Sequence, residues 1–175
     1  MMKINNQKGV GMMEVLVALV ILAIGVLGFS ALQLRAVDAT DEAMSRIEAM
    51  NLARDLAERI RANRSGFARY ETNLTATTPS STATPICVQT TATAPCTTAI
   101  QMANYDTAQV VTQANILGMT IGLPNCQVAA SGQNRRCVYV AWGETKAINS
   151  STDAQACTNG GAYLPQAKCI VMELY

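Results

Sequence analysis

The chain has 175 residues, half of them apolar and 14% charged, with a formal net charge of +1 and no histidine. That length suits one domain of ordinary size. The near-neutral balance gives no sign of a nucleic-acid surface, and the missing histidine removes histidine-based triads, proton shuttling near neutral pH and the commonest metal ligand.

The first residues, Met1-Met2-Lys3-Ile4-Asn5-Asn6-Gln7-Lys8-Gly9, are short, polar and basic. Removing them would take away Lys3 and Lys8 and leave 11 basic and 12 acidic residues. Val10-Gly11-Met12-Met13-Glu14 follows, and then twenty uncharged residues from Val15 to Leu34, closed by Arg35. Twenty helical residues rise about 30 Å, the thickness of a bilayer core. Glu14 therefore sits at the front of a candidate membrane span, where a carboxylate costs several kcal/mol and marks a functional position. The plainer readings are a simple signal anchor, or a signal peptide cut after the apolar stretch, with an interfacial glutamate that has no partner. Small-residue cleavage sites such as Gly28-Phe29-Ser30 suit the second poorly.

Lys8-Gly9, Val10 and Glu14 resemble the class III signal of type IV prepilins and type II secretion pseudopilins. In that pattern a basic leader ends in glycine, and a glutamate stands fifth in the mature chain. Val10 replaces the commoner phenylalanine, and Gly11-Met12-Met13 replaces the usual Thr/Ser-Leu-hydrophobic run. The resemblance implies cleavage between Gly9 and Val10 by a prepilin peptidase, which also methylates the new Val10 amine. It also implies an assembly role for Glu14. The Val10 amine of one subunit and the Glu14 carboxylate of its neighbour would pair, since a desolvated charge is tolerated only when matched.

The helical pattern continues past Arg35, and no proline occurs before Pro79. Ala49, Leu52, Ala53, Leu56, Ala57 and Ile60 make one apolar stripe, with Glu48, Asn51, Asp55, Glu58 and Arg59 opposite. Asn63-Arg64-Ser65-Gly66 is the predicted stop, with arginines near the C-terminal dipole. Gly25 and Gly28 weaken the apolar half of the helix. Residues 72–98 are rich in Thr, Ser, Ala and Pro and read as an exposed loop. Asp106 is the predicted cap of a short helix carrying Val110, Val111, Ala114, Leu117 and Ile121, loosened or ended by Gly118, Gly122 and Pro124. Cys137–Trp142 and residues 168–175 alternate with period two and read as antiparallel strands, with Ile170, Met172 and Leu174 on one side. Their inner face is expected on the Leu52/Leu56/Ile60 stripe.

Six cysteines, Cys87, Cys96, Cys126, Cys137, Cys157 and Cys169, all follow the apolar segment, and none forms a C-x-x-C pair. An even number on one side of a span fits disulfides in an oxidising compartment. Fifteen pairings are open. Pairing between sequence neighbours, which closes short loops, is the expected one.

The predicted fold is α+β: a long helical spine, transmembrane then amphipathic, packed on a small antiparallel sheet. The predicted divisions are residues 1–9 as leader, 10–34 as transmembrane and assembly helix, 35–66 as amphipathic half and 67–175 as disulfide-stabilised head. Gly122-Leu123-Pro124, a cysteine-bounded turn and Tyr139-Val140-Ala141-Trp142 resemble PilV-type minor pilins. That resemblance implies a low-abundance subunit that primes or caps a type IV pilus with other minor pilins and the major pilin. It would be held in the inner membrane, head outward, before assembly, and at the tip or in the fibre afterwards. The alternative is a minor pseudopilin of a type II secretion system. Glu144, Lys146 and Asp153 are the nearest approach to a catalytic set but follow no motif and read as solvated surface, so no enzyme activity, metal or cofactor is expected. Arg135-Arg136 is the one candidate for a DNA-binding or adhesive tip, against the plainer reading of a solvated basic loop. A thiol count under denaturing, non-reducing conditions should find no free cysteine; six reactive thiols would contradict the oxidising compartment.

Overall fold

A computed structural model describes residues 11–75, 79–82, 87–88, 96–126 and 135–174. Helix α1 spans Met12–Ala62. The chain divides into two compact units, Met1–Ala43 and Met44–Tyr175.

In the first unit every described residue through Asp41 of α1 is exposed. One stretch reaches a mean hydropathy of 2.9 with none of it buried, long and apolar enough to cross a membrane. Leu22, Ile24, Leu27 and Phe29 are each more than 60% exposed, which water would not tolerate over such a length. Ser30 and Thr40 donate their hydroxyls to the carbonyls of Val26 and Ala36, one turn back, so neither breaks the helix.

The second unit contains the rest of α1, a 3-10 turn over Arg64–Gly66, α2 (Phe67–Leu74), α3 (Ala99–Ile116) and six strands. These are β1 (Met119–Gly122), β2 (Cys137–Trp142), β3 (Lys146–Asn149), β4 (Ala156–Asn159), β5 (Ala162–Tyr163) and β6 (Cys169–Glu173). The main sheet has the order β1-β2-β6 and is antiparallel throughout. A second sheet has the order β3-β4-β5, with β3 parallel to β4 and β4 antiparallel to β5.

Alternation along β2 builds two cores. Val138, Val140 and Trp142 face the helices and meet Leu52, Leu56 and Ile60 of α1, together with Tyr70 and Val110. Cys137, Tyr139 and Ala141 face the other way, towards Ala147 and Cys157. The expected packing of the sheet on the α1 stripe is therefore present, and Ile170, Met172 and Leu174 lie on that same side. Cys87–Cys96, Cys126–Cys137 and Cys157–Cys169 are bonded, the sequence-neighbour pairing. Each closes a loop of about ten residues, a cross-link worth about 2–3 kcal/mol in the chain-entropy model.

Four sequence expectations are corrected. Asp106 does not cap a helix: α3 starts seven positions earlier, behind Thr98, whose side chain accepts from the Gln101 N–H while Gln101 reaches back to the Thr98 N–H. That reciprocal arrangement satisfies donors at the helix start, and Asp106 falls inside the helix. Ile121 is a strand residue, because Gly118 at φ 66° turns the chain after Leu117 and β1 begins at Met119. Gly122 closes that strand rather than a helix, and a Cβ there would lie 2.5 Å from the Ala147 carbonyl oxygen. Asn63–Gly66 ends α1 but not the helical run, since α2 follows directly and buries Tyr70 and Leu74.

Replacing fully buried Leu56 by Ala should cost about 3 kcal/mol in the unfolding of the full chain, read by Trp142 fluorescence. Ile47→Ala on the exposed side of α1 should cost no more than about 0.5 kcal/mol.

Candidate functional site

Glu14 is the single acid in the first turn of α1. Its own N–H donates to the Gly11 carbonyl at 2.9 Å, and the Val15 N–H donates to the same oxygen at 3.3 Å. The positive end of the helix dipole thus lies beside the carboxylate. Met12 and Met13 beside it are 84% and 74% exposed, so among the described residues nothing shields that charge. Gly9 and Val10, the expected cleavage and methylation positions, lie outside the described residues. A Cβ on Gly25 or Gly28 would meet nothing within 4 Å, so packing among the described residues does not require glycine at either position.

In the head, three helices are joined by a polar cluster. Arg59 of α1 donates to both carboxylate oxygens of Asp55 at 3.0 Å and to Asp106 of α3 at 2.9 Å. The Tyr70 hydroxyl of α2 donates to the other Asp106 oxygen. Asn63 adds bonds to the Tyr70 hydroxyl at 3.4 Å and the Ala99 carbonyl at 2.8 Å. Burial, then the bond to Asp106, pushes the Tyr70 phenol far above its ordinary range. Burial acts against the Arg59 charge, but its bonds to Asp106 and Asp55 outweigh that and hold its pKa high. The cluster is a clasp: a buried acid satisfied by one cation and one phenol.

The remaining sequence candidates are dispersed. Arg135 donates to Glu173 at 2.7 Å, and Arg136, mostly buried, pairs with Glu71 of α2. Both arginines therefore have acidic partners in the head. Lys146, at the start of β3, donates to Asp153 at 2.8 Å, while Glu144 is exposed in the preceding turn. That bond and one from the Gln155 N–H lower the Asp153 pKa. On the far side of the main sheet Thr158 donates to Asn149, so the buried Tyr139 hydroxyl donates to Thr158 at 3.0 Å. Sequence reading missed the Arg59–Asp106–Tyr70 clasp. Its one signal was Phe67, Tyr70 and Leu74 at helical spacing just beyond the stop.

An exposed apolar helix with an acid in its first turn, and a disulfide-braced α+β head, define a membrane-anchored filament-subunit architecture. Residues 4–30 match the prokaryotic N-terminal methylation motif, and residues 31–108 match the family of the type IV pilin Tt1218. The chain is a type IV prepilin. No curated protein and no solved structure matches it. The motif implies that the chain is a prepilin peptidase substrate with pilin partners, and the family is one of structural subunits.

The clasp predicts a specific alkaline response. A phenol whose pKa is raised on folding contributes stability fully present below about pH 10 and lost as pH rises further. Tyr70→Phe should lower stability at pH 7 by about 1–2 kcal/mol, because Asp106 loses a donor, and should flatten the fall above pH 10. Unfolding curves from pH 7 to 11 check both parts.

Proposed function

We propose that this chain is a minor pilin that primes or caps type IV pilus assembly in a tip complex with other minor pilins and the major pilin. The observation that carries the reading is Glu14, held in the first turn of a helix that is exposed and apolar over its N-terminal part, five positions after Gly9. A bilayer can cover the apolar face, but it leaves the carboxylate without a partner. A neighbouring subunit offers both an apolar helix and, after cleavage at Gly9, the Val10 amine. Pairing the two charges offsets the desolvation that each suffers alone.

In this reading residues 1–9 are the leader, removed by prepilin peptidase, and Val10 is methylated. Residues 10–34 hold the subunit in the inner membrane as a single span with the head in the periplasm, and then enter the fibre at the cell surface. Residues 35–66 and 67–175 form the amphipathic half and the head. Three disulfides suit a head that works outside the cytoplasm. The PilV-type assignment is supported by the order Gly122-Leu123-Pro124, a cysteine-bounded turn and the Tyr139–Trp142 strand. The methylation motif is equally compatible with a minor pseudopilin of a type II secretion system.

Glu14→Ala should leave membrane insertion intact and abolish recovery of the subunit in sheared fibres; normal incorporation would overturn the assembly role. Deleting the gene should abolish twitching motility and spare protein secretion. Loss of secretion with normal motility would favour the pseudopilin.

A further inference from the structure

Beside the free edge of β1 lies a cleft of about 850 Å³. Its walls come from two layers. Val111, Ala114 and Asn115 of α3 form one side, and Ala147 and Ile148 of β3 form the other, with Ile121 of β1 between them. The geometry follows from the strand register. Gly122 presents its Cβ position to Ala147, so β3 lies over one face of β1, while the Ile121 side chain enters the helical core on the other face. The β1 edge is left facing the gap between the layers.

Among the described residues no strand pairs with that edge. The Cys137 N–H donates to the Pro124 carbonyl at 3.1 Å and the Cys126 N–H donates to the Arg135 carbonyl at 2.8 Å. These positions continue the pairing of Thr120 with Ala141 and Gly122 with Tyr139. Antiparallel strands alternate the direction of their main-chain groups, so the N–H and C=O of Met119 and Ile121 point away from β2. No described strand pairs on that side, and β3 is itself the edge of the second sheet. Leu74, Thr75 and Pro79 line the cleft as well, and Thr112 donates to the nearby Ser81 carbonyl at 3.1 Å.

We propose that this cleft receives an extended, uncharged segment of a neighbouring subunit, added as a strand on the β1 edge. The inference rests on the filament-subunit reading for the source of the segment. Three features select the occupant. Outward strand donors and acceptors that no described strand meets call for another backbone, which pairs with every outward group at once. The size fits: at the spacings within and between sheets a strand residue fills about 160 Å³, so the cleft holds about five residues. The electrostatics fit as well. The charged lining residues, Lys146 and Asp153, neutralise each other at 2.8 Å, so a charged side chain entering between the apolar walls finds no free partner. Asn115, Asn149 and Thr120 at the margins supply amide and hydroxyl groups suited to main chain or uncharged polar side chains.

The test places the photo-crosslinking residue p-benzoylphenylalanine at exposed Asn115 of the full-length chain, in cells that assemble fibres. Irradiation should join it to another subunit, and the attached peptide should be an uncharged stretch. Adding Ile148→Lys, which puts a charge on the opposite wall, should reduce that adduct by about tenfold or more. Ile148 is 38% exposed, so the change leaves the core intact. Adducts confined to the same chain, to lipid or to a small molecule, or no adduct in assembled fibres, would overturn the proposal. So would an adduct unaffected by Ile148→Lys. Glu14→Ala distinguishes the two levels: if that variant still assembles, the filament reading fails, whereas a blocked variant with no intersubunit adduct in wild-type fibres defeats the cleft alone.

Discussion

A carboxylate at the front of an uncovered apolar helix is a constraint that the chain does not resolve by itself. Glu14 lies among methionines and aliphatic residues that are mostly exposed, and every described residue around it is exposed as well. Hydrocarbon suits the neighbours and penalises the acid; water suits the acid and penalises the neighbours. A bundle of like helices with a cation at the same level satisfies both. The Val10 amine, freed by cleavage after Gly9, would supply that cation once per subunit.

The head shows the complementary solution, in which the buried polar side chains among the described residues are matched within the chain. Asp106 lies buried in α3, held by Arg59 from α1 and Tyr70 from α2. Arg136 ties the start of β2 to Glu71 of α2, and Arg135 ties the same region to Glu173 of β6. No buried side-chain nitrogen or oxygen among the described residues lacks a partner. Such a head is well fitted to serve as a rigid module. Among the described residues no strand pairs with the outward edge of β1, and there the proposed strand addition is directed.

Much of this was legible in the sequence because it rests on local periodicity. The uncharged run from Val15, the stripe from Ala49 to Ile60, and the alternation in Cys137–Trp142 each record one element and its buried face. What stayed hidden depended on distant partners. Asp106 looks like a helix cap when only its neighbours are considered, but it answers Arg59 and Tyr70, 47 and 36 positions away. Arg135 and Arg136 look like an exposed basic pair until Glu173 and Glu71 are placed beside them, 38 and 65 positions away. The parallel pairing of β3 with β4 has no periodic signal in either segment, and its register shifts. The capping box at Thr98 and Gln101 was present in the sequence, masked by the Thr-rich stretch before it.

The central claim is that the Glu14 carboxylate and a neighbour's Val10 amine are in direct contact. An apolar carbodiimide such as dicyclohexylcarbodiimide enters hydrocarbon and joins a carboxylate to an amine already touching it. Applied to assembled fibres and analysed by peptide mass spectrometry, it should yield an amide between Glu14 and the N-terminal amine of another subunit. The same treatment of unassembled subunits in membranes should not. Fibres in which Glu14 acquires only the unlinked acylurea adduct, or in which linkage is equally frequent before assembly, would contradict the account.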